Sequence, residues 1–76
     1  MQQGMMRGAV VTMDGMGEWL SVRGHRGIME YSEHLLRLRL NKGVMRIDGK
    51  NLTLESMDGE DILITGRIGG VTLERE

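Results

Sequence analysis

The stretch Leu36-Arg37-Leu38-Arg39-Leu40-Asn41-Lys42-Gly43-Val44-Met45-Arg46-Ile47-Asp48-Gly49 decides the fold class. Apolar and charged residues alternate on both sides of Asn41-Lys42-Gly43. That spacing puts Leu36, Leu38 and Leu40 on one face of a strand, and Met45 and Ile47 on one face of the next. The residues between them read as a hairpin loop, with Gly43 available for a positive φ. A helix competes for Ser32–Leu40, because Ser32 is a possible N-cap and Leu and Arg are good helix formers. The period of two favours the strand, since a helix would scatter the three leucines over different faces.

The same grammar runs outward in both directions. Toward the N-terminus lie Val11 with Met13, Leu20 with Val22, and the shorter segment Gly27-Ile28-Met29-Glu30-Tyr31. Toward the C-terminus lie Leu52 with Leu54, Ile62 with Ile64, and Val71 with Leu73. Glycine closes several of these units, at Gly15, Gly24, Gly49 and Gly66, while Asp58-Gly59 reads as a turn and Gly69-Gly70 as a two-residue hairpin connection. The pattern predicts an all-β fold of about eight short strands, either a small antiparallel sandwich or a meander or partly open barrel. Uneven spacing of the units argues against a solenoid. Residues 1–8 are expected to form a flexible leader and residues 9–76 a single β domain.

Composition sets limits on function. A chain of 76 residues holds one domain, and a domain of that size is only marginally stable. It has no Cys, so neither a disulfide nor a thiolate zinc site is available. Trp19 and Tyr31 are its sole aromatic residues, so the core must come from Leu, Ile, Val and the eight Met. A formal net charge of -1 argues against general nucleic-acid binding, which rests on phosphate neutralisation. No apolar run approaches the roughly 20 residues that span a bilayer, and the start lacks the apolar segment of a secretory signal. The expected location is the cytoplasm.

Candidate chemistry is sparse. His25 and His34 fall in predicted turns at a spacing that fits no metal-ligand motif, and they read as polar turn residues. Ser21, Ser32 and Ser56 lack the context of an activated nucleophile. Asp14, Asp48 and Asp58 each precede Gly, where turn chemistry accounts for them. Gly66-Arg67-Ile68-Gly69-Gly70 lacks the Lys-Ser/Thr of a phosphate loop. No enzyme activity and no cofactor are expected. Arg37, Arg39 and Arg46 should share the polar face of two neighbouring strands. They form either a site for an anion, a lipid headgroup or a partner, or a solvated face paired with Glu55 or Glu74. Trp19, Met29, Leu35, Val44 and Leu63 fall off the core face, which suggests a protein interface if they are contiguous. Open sheet edges would offer another.

An ordered set of segments carries a resemblance. Gly24-His25-Arg26-Gly27-Ile28-Met29-Glu30-Tyr31-Ser32 is followed by Leu36-Arg37-Leu38, then by Gly43-Val44-Met45-Arg46-Ile47-Asp48-Gly49-Lys50-Asn51-Leu52, then by Glu60-Asp61-Ile62-Leu63-Ile64-Thr65-Gly66-Arg67-Ile68. This order resembles the YqfC branch of the YabP/YqfC sporulation proteins, over about residues 9 to 74. The resemblance implies expression in the mother cell and a role in building the spore coat or cortex. It also implies a membrane-protein partner, because members are commonly encoded beside one, YqfD for the YqfC branch. It carries over no catalytic residues. With the β-surface it suggests self-association and partner binding, with the His25-Arg26-Gly27 turn and Tyr31 as the recognition spot.

Overall fold

The computed structural model describes residues 2–6 and 8–75. These form seven strands: β1 (Gln2–Met6), β2 (Ala9–Met13), β3 (Trp19–Arg23), β4 (Ile28–Tyr31), β5 (Leu35–Leu40), β6 (Gly43–Asp58) and β7 (Asp61–Glu74). All pair antiparallel in one open sheet, in the order β1-β2-β3-β7-β6-β5-β4. The all-β antiparallel class is the one the alternation predicts, and the Ser32–Leu40 stretch resolves as strand. The hydroxyl of Ser32 accepts hydrogen bonds from the backbone N–H groups of His34 at 3.2 Å and Leu35 at 3.1 Å. The helix-cap signal is therefore spent on a hairpin turn, a use open to the same side chain.

The strand count differs from about eight for a definite reason. Segments expected as separate strands fuse into the long β6 and β7. Gly69-Gly70 is no hairpin connection but lies inside β7, with Gly70 opposite Asp48. Residues 2–6, expected in a leader, add β1 against β2. Asn41-Lys42 and Gly59-Glu60 do turn the chain, since Leu40 pairs with Gly43 and Asp58 with Asp61.

The β6–β7 hairpin bends in its middle. Its register shifts between Asp48 and Gly49, between Lys50 and Thr53, and between Leu54 and Ser56. The close approach of the two strands at the bend excludes side chains. A Cβ on Gly49 would run into the carbonyl oxygen of Arg67, and Gly66 sits at φ +127° with its backbone against Asn51. Before the bend β6 pairs with β5; beyond it, residues 53–58 pair with the first half of β7, which also receives β3. The hairpin thus belongs to both halves of the sheet and folds one over the other. A flat sheet of this many strands would be about 29 Å wide and one strand thick, whereas the molecule measures 27 × 24 × 23 Å.

One apolar cluster fills the space between the halves. Leu20 and Val22 of β3, Leu36, Leu38 and Leu40 of β5, Met45, Ile47 and Leu52 of β6, and Ile62 and Ile64 of β7 are all buried in it. Burying each such side chain stabilises the fold by roughly 1.5–3 kcal/mol. The curl also explains the β3–β4 connection. Residues 24–27 carry the chain from the middle of the sheet to its far edge, about 19 Å away in a flat sheet. A fully extended connection of that length would reach only about 17 Å. Folding the sheet brings the two ends of the connection together.

Candidate functional site

The curl leaves a seam where β4 faces the second half of β6. Among the described residues β4 pairs with β5 alone, and residues 53–58 pair with β7 alone. Two edges therefore face each other without pairing. At one end Tyr31 bridges them: its hydroxyl donates to the carbonyl of Leu52 at 3.3 Å and accepts from the N–H of Leu54 at 3.0 Å. A side chain thus supplies to the edge what a neighbouring strand would supply through its backbone. The tip of the β4–β5 hairpin adds two contacts, as Leu52 N–H donates to the Glu33 carbonyl and Gly49 N–H to the His34 carbonyl.

At its other end the seam widens into a cleft of about 410 Å³, lined by His25, Arg26, Ile28, Met57, Gly59 and Glu60. A register shift between Ile28 and Glu30 bulges Met29 out of the β4–β5 ladder. Met29, Tyr31 and Met57 are all exposed, a concentration of large apolar side chains along the seam. The segment that forms its β6–β7 wall is acidic. No Lys or Arg occurs between Asn51 and Gly66, while Glu55, Asp58, Glu60 and Asp61 do.

The predicted recognition residues divide between surface and interior. His25 is buried, at 4% exposure, and is not the surface turn residue the sequence suggested. Its Nδ1 accepts a hydrogen bond from the N–H of Gly27 at 3.1 Å, which puts the proton of the neutral ring on Nε2. That Nε2 is buried with no hydrogen-bond partner among the described residues. Main-chain bonds hold the turn in place. Gly24 and His25 N–H donate to the Glu60 carbonyl, Arg26 N–H to that of Arg39, and Arg39 N–H to that of Gly27. Arg26 is exposed, with Nε donating to Asn41 Oδ1 at 2.7 Å and Nη1 lying 3.8 Å from Glu60 Oε1. Arg26 and Tyr31 thus present themselves at opposite ends of the seam, with His25 packed beneath.

The three arginines lie on the outward face of β5 and β6, where Arg37 stands directly opposite Arg46. Arg37 Nε donates to Glu74 at 3.0 Å and its Nη1 lies 3.5 Å from Glu30. Arg46 is paired with Asp48 at 3.0 Å. The hydrogen bond to Glu74, then its charge, raises the pKa of Arg37, and the bond to Asp48 does the same for Arg46. Glu74 is thus one of the two cross-strand partners expected; Glu55 instead accepts from the Thr65 hydroxyl at 2.8 Å. An anion would have to displace these carboxylates from Arg37 and Arg46. Of the off-face apolar residues, Val44 is buried and Met29 exposed, while Trp19, Leu35 and Leu63 are half-buried. They divide between the two halves of the sheet. Among the described residues no three His, Asp or Glu converge as metal ligands, and no helix is long and apolar enough to cross a membrane.

A family model described as the YabP family matches residues 7–76. The chain belongs to the YabP family. Within this YabP-family chain, the matched region contains β2 through β7 and hence the whole seam and the arginine face. It is 38% identical over 47 residues to a protein of Bacillus subtilis (strain 168) called "Uncharacterized protein YqfC", covering 62% of this chain and 50% of that relative. The chain thus spans about half the length of the curated relative it matches. No solved structure matches it.

The seam itself escaped the sequence reading. Met45–Ile47 and Leu52–Leu54 read as separate strands, so nothing marked one strand with two different partners. The run of acids without a cation from Asn51 to Gly66 was the available signal.

Proposed function

We propose that this YabP-family chain is a non-enzymatic assembly module of the spore envelope, acting in the mother cell and binding partners through its open sheet edges. Family membership supports the sporulation part. The unpaired seam carries the assembly part, because strand edges with free backbone groups are sites where other chains add. Arg26 and Tyr31, at its two ends, are the contact residues, and His25 holds the Arg26 turn in shape from below. A YqfD-like membrane protein is the partner suggested by the family, with self-association as a second mode. Such a partner would bring a cytoplasmic chain to a membrane.

Size-exclusion chromatography with light scattering tests this, on the chain alone and mixed with the detergent-solubilised membrane protein encoded beside it. A homo-oligomer or a co-eluting complex is expected. Arg26→Ala should leave the fold intact and weaken the complex. A monomer that ignores its neighbour at high concentration would end the assembly reading.

A further inference from the structure

The bend of the β6–β7 hairpin sets two cations face to face. Lys50 and Arg67 are direct cross-strand partners, and like charges in that arrangement repel. Both are exposed. Among the described residues neither has a carboxylate within ion-pair distance, in contrast to Arg23, Arg26 and Arg46, which each have one, and Arg37, which has two. The pair does not lie on a flat surface. The β2–β3 turn folds toward the bend, as Gly66 N–H donates to the Glu18 carbonyl at 3.1 Å and Ile68 N–H to that of Gly17 at 2.8 Å. Turn and bend enclose a depression of about 710 Å³, lined by Lys50, Arg67, Asn51, Glu18 and Met16. Glu18 offsets one of the two positive charges. Met16, also in the lining, is 80% exposed.

We propose that this depression is a binding site for a phosphate-bearing ligand, the phosphate lying between Lys50 and Arg67. A phosphate group, its negative charge shared over more than one oxygen, converts their repulsion into two attractions. Arg67 offers the planar fork suited to phosphate and Lys50 a mobile point charge. The volume exceeds a bare anion and leaves room for the remainder of a larger molecule. The site is distinct from the seam and from the Arg37 face, and does not depend on the assembly reading.

The test is thermal unfolding of the whole chain and of Lys50→Gln, Arg67→Gln and Arg23→Gln. Each protein is measured with buffer, inorganic phosphate, phosphatidylglycerol vesicles and neutral phosphatidylcholine vesicles. A ligand that binds only the folded state raises the melting temperature, here by about 4 °C or more near saturation. Lys50→Gln and Arg67→Gln should melt higher than the parent in buffer, because repulsion is relieved, and should lose the ligand-induced rise. Arg23→Gln, which removes the same charge elsewhere, should keep it. A rise with free phosphate assigns a soluble phosphate ligand; a rise only with phosphatidylglycerol vesicles assigns a lipid headgroup. No rise with either, or a rise that Lys50→Gln and Arg67→Gln retain, overturns the proposal.

Discussion

The backbone of Gly66 crosses Asn51 so closely that a methyl on its Cα would stand 2.5 Å from the Asn51 carbonyl oxygen. The same residue sits at φ +127°, a region side chains disfavour. Gly66→Ala therefore combines a clash with backbone strain and should destabilise by roughly 2–4 kcal/mol. A domain of this size has only about 4–11 kcal/mol in total. Gly70→Ala, where nothing lies within 4 Å of the new methyl, should change stability by no more than about 0.5 kcal/mol. Urea unfolding of the two variants measures the contrast; equal losses would remove the bend as the constraint.

Asn51 is the one non-glycine residue with a positive φ, at 53°, among those described. Asparagine accepts this region more readily than a β-branched residue does. Asn51→Val should cost about 1–2 kcal/mol, and Asn51→Gly should be close to neutral. Unfolding midpoints decide the order, and a Val variant as stable as the parent would contradict it.

Tyr31 donates to Leu52 and accepts from Leu54 through one oxygen. Tyr31→Phe keeps the ring and loses both bonds. The expected loss is about 0.5–1.5 kcal/mol, with faster amide hydrogen exchange at Leu54. Unchanged exchange at Leu54 would mean that the hydroxyl does not protect that edge.

Arg37 is held between Glu30 and Glu74 on the outward face. Its raised pKa means that the stabilisation is fully present below the ordinary arginine range and is lost only above it. Across neutral pH its contribution is therefore constant. Arg37→Ala should lower the melting temperature at low salt, and most of that difference should vanish near 1 M NaCl, where the Debye length falls to about 3 Å. A salt-independent loss would point to packing of the aliphatic stem instead.

Leu38 is fully buried and Met16 is 80% exposed. Leu38→Ala leaves a cavity in the shared core and should cost about 2–5 kcal/mol, enough to unfold much of the population at 37 °C. Met16→Ala should be within about 0.5 kcal/mol of the parent. Circular dichroism of both variants on heating separates them.

The division between sequence and structure follows from what each residue pattern encodes. The alternation at Leu36, Leu38 and Leu40, and at Ile62 and Ile64, determined by itself that the chain is all-β and which side chains form the core, because period two has one structural meaning when half of each strand is buried. The turns at Asn41-Lys42 and Gly59 were legible for the same local reason. What glycine does inside a strand was not. Gly49 and Gly66 look like strand ends, yet they sit where two strands approach too closely for a Cβ, while Gly69-Gly70 looks like a hairpin connection yet runs on inside β7; a missing side chain serves either purpose. Only the tertiary structure decided that β6 and β7 run on through a bend. From that bend come the curl of the sheet, the burial of His25, the open seam at Tyr31 and the opposition of Lys50 to Arg67. These depend on contacts between residues distant in sequence, and local patterns do not record them.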